Sequence, residues 1–203
     1  MSVVIAIKDS NQVIMACDTQ ITSGGVRRRG IGKSNYKIWH PNSKAFLLMG
    51  TAGSLREKNV IQTYNDLIKN HEYIEGKIDY QFIIQKVVKR LFNEMKESGL
   101  VDDKVKPYQM NNRYLLAFKN QLFEIDRDGA VIEVSDYTAI GSASNEALAS
   151  LHATINEKSE VRILKAMHLA KMNDIYVSEP IIIGSTTCNE FKIIENDKER
   201  FDE

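Results

Sequence analysis

Apolar residues run almost unbroken from Val3 to Ile7 and again from Val13 to Cys17, with Asp9-Ser10-Asn11 between them. Short β-branched runs joined by turn formers predict a hairpin. Gly24-Gly25 marks another turn, and residues 34–39 and 45–49 are two more short strand candidates, split by Pro41-Asn42-Ser43. The period then changes. Leu55, Val60, Ile61, Tyr64, Leu67 and Ile68 recur at helical spacing within residues 54–70. Phe82, Ile83, Val87, Val88, Leu91, Phe92 and Met95 do the same within 79–98, where Asp79 is placed to cap the helix. Strands resume at 114–119, 122–125 and 131–134, the last two joined by an Asp128-Gly129 hairpin turn. Helical patterns return at 144–156 and 160–172, and strand signals at 176–177, 181–183 and 190–194. The charged tail, 195–203, is expected to fray.

The order is strands, two helices, strands, two helices, strands. It favours layered packing of sheets and helices over alternating βαβ units. Two stacked sheets with a helix pair on each outer face satisfy it, although periodicity only permits that arrangement. No linker or repeat interrupts the 203 residues, so one domain spanning 1–203 is the simplest reading.

Charge adds little: 27 basic and 27 acidic residues balance, which gives no field pointing to nucleic acid. No apolar run is long enough to span a bilayer, and the start lacks the basic region of a signal peptide. Cys17 and Cys188 are too few for a disulfide framework and fit no zinc spacing, so a cytoplasmic protein with reduced thiols and no metal is expected. His40, His71, His152 and His168 show no metal spacing either. Gly30-Ile31-Gly32-Lys33-Ser34 lacks the leading glycine of a phosphate loop, and Arg27-Arg28-Arg29 reads as a solvated loop.

Six short segments carry candidate chemistry in a fixed order. They are Ser2-Val3-Val4-Ile5-Ala6-Ile7, Ala16-Cys17-Asp18-Thr19-Gln20-Ile21-Thr22, Ser34-Asn35-Tyr36-Lys37-Ile38, Met49-Gly50-Thr51-Ala52-Gly53, Ala139-Ile140-Gly141-Ser142 and Asn173-Asp174-Ile175-Tyr176-Val177. Together they resemble the proteasome β-subunit and HslV family of N-terminal-nucleophile hydrolases across nearly the whole chain. The resemblance implies an α+β fold: a four-layer αββα sandwich, two stacked, mainly antiparallel sheets flanked by helix pairs. It also implies a cofactor-free peptidase whose nucleophile is Ser2, exposed when Met1 is removed, where relatives more often use threonine. The partners it implies are a peptide or unfolded-protein substrate, a homo-oligomeric ring or stacked rings, and an ATP-dependent unfoldase.

The chemistry is coherent. A serine hydroxyl needs a base, and a free α-amine, with a pKa near 8 in model peptides, is one tethered to it. Lys37 would favour the neutral amine and the developing alkoxide, and Asp18 would hold Lys37 charged. By resemblance, Ser142 and Asp174 orient the amine and a water. The Gly53 N–H donates to the oxyanion, with Gly50 the runner-up. An extended peptide would add near Thr22 and residues 50–53, with Gln20 and Thr51 lining its side-chain pocket.

Each residue also has a plainer reading. Serine commonly follows an initiator methionine, Asp18 and Asp174 are turn formers, Lys37 is a surface cation, and Ser142 or Ser144 caps a helix. Cys17 reads as packed in a strand. Two alternatives to the peptidase therefore stay open: a catalytically silent structural or binding subunit, and an amidase or peptide ligase that passes the acyl group to an amine.

Overall fold

A computed structural model describes residues 2–30, 32–44, 46–101 and 107–195. Met1, Ile31, Ala45 and most of the charged tail, with the expectations attached to them, lie outside these. The predicted first hairpin is present as β1 (Val3–Asp9) and β2 (Gln12–Cys17), with Ile5 opposite Ala16. The Gly24-Gly25 turn joins two strands, β3 (Gln20–Ser23) and β4 (Val26–Arg29), so the arginine run lies on an exposed strand rather than in a loop.

Residues 34–39 are not one strand. Lys33–Asn35 winds into a single tight turn, closed by Asn35 N–H donating to the Gly32 carbonyl at 2.7 Å, and only β5 (Ile38–Trp39) is extended. The next strand, β6 (Leu47–Ala52), runs three residues beyond the expected end. The helix expected over 54–70 stops early, as α1 (Leu55–Thr63), and a short α2 (Asn70–Glu75) follows. Side chains, not helical N–H groups, meet the intervening carbonyls: the Asn42 amide donates to those of Asn65 and Ile68, and Arg90 donates to that of Leu67. Leu67 and Ile68 thus reach the core from a turn. The second expected helix is one rod: α3 (Tyr80–Phe82), a wider π-helical stretch (Ile83–Val88) and α4 (Lys89–Glu97). Asp79 caps it, accepting from Phe82 N–H at 2.8 Å.

The three middle strands follow as expected: β7 (Arg113–Phe118), β8 (Gln121–Ile125) and β9 (Val131–Val134). Then comes a strand the periodicity did not show, β10 (Tyr137–Gly141), whose pairing with β1 is long-range. Helices α5 (Ser144–Ala153) and α6 (Ser159–Asn173) precede β11 (Ile181–Ser185) and β12 (Cys188–Ile194). Residues 176–177 form a turn instead of a strand, because Val177 N–H bonds the Asp174 carbonyl.

Ten of these strands form two five-stranded antiparallel sheets, ordered β10-β1-β2-β11-β12 and β5-β6-β7-β8-β9, and β3 and β4 pair as a separate two-stranded ribbon. The two sheets stack face to face through Val4, Ala6, Met15, Ile38, Leu48 and Leu115, all fully buried. On the outer face of the first sheet, Ile5 and Ile7 pack against Leu151, Ile163 and Met167 of α5 and α6. On that of the second, Met49, Tyr114 and Phe123 pack against Ile61, Val87 and Leu91. The expected four-layer αββα sandwich is the observed fold. Because β1 is central, both of its faces are apolar, which explains its unbroken hydrophobic run.

One ion pair clamps α2 onto the long rod. Arg90 donates twice to Glu72, at 2.6 and 2.7 Å, and holds its carboxyl down at about 2 from the ordinary 4.5. A carboxylate depressed this way stabilises fully above its unfolded value, and the contribution is lost as pH falls toward the folded one. Glu72→Gln should therefore cost about 1 kcal/mol at neutral pH, a value discounted for partial exposure. The gap to the parent protein should close between pH 4.5 and 2, as read from urea midpoints across that range.

Candidate active site

The site is assembled at the start of β1, where three separate parts of the chain converge. Ser2 is only 3% exposed. Its backbone N–H donates to Ser142 Oγ at 3.2 Å, and its carbonyl accepts from Ser142 N–H at 2.8 Å. Gly141 permits this approach: its φ is +113°, and a side chain there would run into the Ser2 carbonyl. The Ser142 hydroxyl caps no helix. It donates to Asp174 Oδ2 at 2.5 Å, and α5 begins behind Ala143 without a side-chain cap. Asp174 closes α6, and its other oxygen accepts from Tyr176 N–H.

On the other side, Asp18 is completely buried between β2 and β3. Its Oδ1 accepts from Val3 N–H at 3.0 Å and its Oδ2 from Gln20 N–H at 2.9 Å. Lys37 Nζ lies 2.6 Å from the same Oδ2. Neither residue is therefore the exposed turn former or surface cation that its type alone suggests. Neighbouring Cys17 is buried, and burial pushes its thiol up to about 12, so it stays protonated and packs as an apolar group.

Two cavities meet at Ser2. The tighter, of about 90 Å³, is lined by Ser2, Gln20, Thr22, Lys37, Thr51 and Gly53, and also by Lys58 and Asn112. The wider, of about 560 Å³, is bounded by Ser2, Gly53, Gly141, Ser142, Arg113 and Arg127. Gly53 borders both, at the end of β6, with φ +142°. Gly50 borders neither. It is paired within the sheet to Ile38 and Leu115, and its missing side chain makes room for Val4 and Ile38 between the layers. Gly50 is thus a packing glycine. Gln20 donates to Thr22 Oγ1 and to the Ile175 carbonyl, which ties β3 to the turn after α6.

Sequence patterns missed three residues here. Glu57 of α1 is buried and accepts from the N–H groups of Asn111 and Asn112 and from Tyr114 Oη. Asn112 in turn donates to Thr51 Oγ1 and the Ser54 carbonyl, and accepts from Ser54 N–H, bracing the strand end that carries Gly53. Lys58 lines the tighter cavity from α1. A polar pair such as Glu57-Lys58 on a helix face reads as solvated, and only the fold turns it inward.

A model of the proteasome subunit family matches residues 2–179. The chain belongs to the proteasome subunit family. Solved structures agree in fold. The BPH protein of Thiobacillus denitrificans, described in complex with epoxomicin, superposes with a TM-score of 0.70 at 17% identity, over 90% of this chain and 97% of that one. A second structure of Thiobacillus denitrificans BPH gives the same score and identity, over 90% of this chain and 96% of that one. HslV from Trypanosoma brucei gives 0.63 at 21% identity, over 90% of this chain and 98% of its own. The proteasome and HslV family is in general one of N-terminal-nucleophile peptidases. In this proteasome-family chain, Ser2, Ser142 and Asp174 form one hydrogen-bonded set, and Lys37 pairs with Asp18, which holds the neighbouring Val3 N–H. Lys37 and Gly53 line the same cavity as Ser2.

Asp18 is the most exacting member, since it balances a lysine and two N–H groups without solvent. Asp18→Ala should cost about 3–5 kcal/mol, because it strands the buried Lys37 charge. Thermal melts of the purified variant check this, and an unchanged midpoint would contradict the buried ion pair.

Proposed function

We propose that the protein hydrolyses peptide bonds with Ser2 as an N-terminal nucleophile, once Met1 has been removed. One observation carries the reading: the Ser2 nitrogen lies within hydrogen-bond reach of Ser142 Oγ, while Lys37, held by Asp18, lines the same small cavity as Ser2. With Met1 gone, that nitrogen is an amine and can act as the base.

Ser2 Oγ then attacks the scissile carbonyl carbon, and its proton passes to the α-amine. Lys37 favours the alkoxide and the unprotonated amine, and Asp18 keeps Lys37 charged. Ser142, fixed by Asp174, orients the amine. The Gly53 N–H supports the oxyanion at the junction of the two cavities. As the C–N bond breaks, the amine returns its proton to the leaving nitrogen. Water then attacks the ester, gives up a proton to the same amine, and regenerates Ser2. The peptide lies extended beside β3, with Gln20, Thr22 and Thr51 around one side chain. By kinship, the working form is a ring or stacked rings of this chain, fed with unfolded protein by an ATP-dependent unfoldase.

Intact-mass measurement of the native protein comes first, and a chain beginning at Ser2 is expected. Retained Met1 would put an amide where the base belongs and would favour a structural subunit. Next, an electrophilic peptide probe such as epoxomicin should label Ser2. Ser2→Ala should abolish labelling, and Lys37→Ala should slow it by about 10²–10³-fold, the scale of losing one charge-stabilising group. Labelling that survives Ser2→Ala would sink the assignment.

A further inference from the structure

The tighter cavity beside Ser2 has an unusual electrostatic make-up. Its walls include Gln20, Asn35, Asn112 and two lysines, Lys37 and Lys58, and no carboxylate. Asp18 already accounts for Lys37. Among the described residues, Lys58 has no carboxylate partner. It is 3% exposed, and its ammonium donates to the Ser34 carbonyl and, at 2.7 Å, to Gln62 Oε1. These two neutral acceptors engage two of its three donors and leave its charge uncompensated. An ammonium buried without an anion is costly, and a guest that brings one recovers that cost.

The position of the α-nitrogen says which part of a substrate enters. The nitrogen faces Ser142, on the side of the wider cavity. Under the peptidase reading, this nitrogen must return its proton to the leaving amine, so the leaving group departs through the wider cavity. The residue on the acyl side is then left beside the tighter one. A space of about 90 Å³ suits a side chain of moderate length.

We infer that this cavity is a selectivity pocket for an acidic side chain, Glu or Asp, on the acyl side of the scissile bond, with Lys58 recognising its carboxylate. Leu55 and Ile21 flank the stem of that side chain, and Asn35 offers an amide donor near its head. An aliphatic guest would cover Lys58 and leave its remaining N–H unsatisfied, and a basic guest would meet two like charges. Burial, with some repulsion from Lys37, already pushes the Lys58 ammonium down to about 8. Cys17 is the other titratable group acting on it, and that thiol is neutral until far higher pH. Selectivity for a carboxylate over its amide isostere should thus hold at neutral pH and fade as pH rises through about 8.

The inference rests on the peptidase reading only for which side of the bond is read, and two arms separate the ideas. In the first, fluorescent peptides identical except for a C-terminal Glu-amide, Gln-amide, Leu-amide or Lys-amide are titrated onto the Ser2→Ala protein, where no chemistry is involved. The Glu peptide should bind about tenfold tighter than the Gln peptide at pH 7, the scale of one charge-assisted contact. That ratio should fall toward one in Lys58→Met and above pH 8, and Lys58→Arg should retain it. Equal binding of Glu and Gln, or a preference for Leu or Lys, overturns the pocket assignment. Should Lys58→Met fail to fold, the pH dependence and Lys58→Arg decide alone. In the second arm, the unmutated protein is given peptides varied on the acyl side of the cleaved bond, and cleavage after Glu should lead. Glu-selective binding without cleavage would overturn the Ser2 mechanism while leaving the pocket intact. Cleavage with no preference for Glu would overturn the pocket and leave the mechanism.

Discussion

The structure around Ser2 depends on one buried carboxylate. Asp18 has no contact with water, so each of its lone pairs must be met by the protein. Val3 N–H, Gln20 N–H and the Lys37 ammonium do this. Each comes from a different piece of the chain: the start of β1, the start of β3, and the segment before β5. Satisfying one side chain therefore fixes the first residues of β1 relative to Lys37. A buried ion pair of this kind gives little net stability, because desolvation consumes most of its attraction. Its effect is positional. With Val3 N–H anchored at 3.0 Å, Ser2 has little freedom to drift from Lys37.

A second constraint works from the opposite side. The Ser2 carbonyl is held by Ser142 N–H, and only a glycine at position 141 lets the two backbones approach so closely. Ser142 then bonds Asp174, which links the end of α6 to the start of β1. Ser2 is thus held at both of its backbone groups by Ser142, while Asp18 holds the next N–H, that of Val3. Such placement is what a reaction needs when most of its acceleration comes from holding groups in position.

Much of this was legible in the sequence, and the legible parts share a physical origin. Strands such as β1 and β2 and the long rod through Val87 and Leu91 announce themselves because local period and burial coincide. The site residues were legible only jointly, through their order and the glycines and strand ends beside them. The misreadings fall where tertiary contacts override local pattern. The helix over 54–70 is cut because Asn42 and Arg90 satisfy carbonyls that a helix would otherwise have used. The strand β10 was invisible because its partner lies about 130 residues away in sequence. Gly50 and Gly53 stand three apart in one motif, yet one packs between sheets and the other borders both cavities; spacing alone does not separate these roles.

The pocket shows the same limit in sharper form. Glu57 and Lys58 are neighbours on α1, and in a helix adjacent residues point in different directions. Here the divergence separates two tasks. Glu57 turns toward Asn111, Asn112 and Tyr114 and braces the strand end holding Gly53, while Lys58 turns toward Ser34 and Gln62 and brings a positive charge to the cavity wall. Because Glu57 is fully occupied by its own donors, it does not neutralise Lys58. The ammonium is therefore held by neutral oxygens alone, at the depressed pKa that burial imposes. One turn of helix thus both stiffens the frame around Ser2 and leaves beside it a charge that a substrate carboxylate would balance.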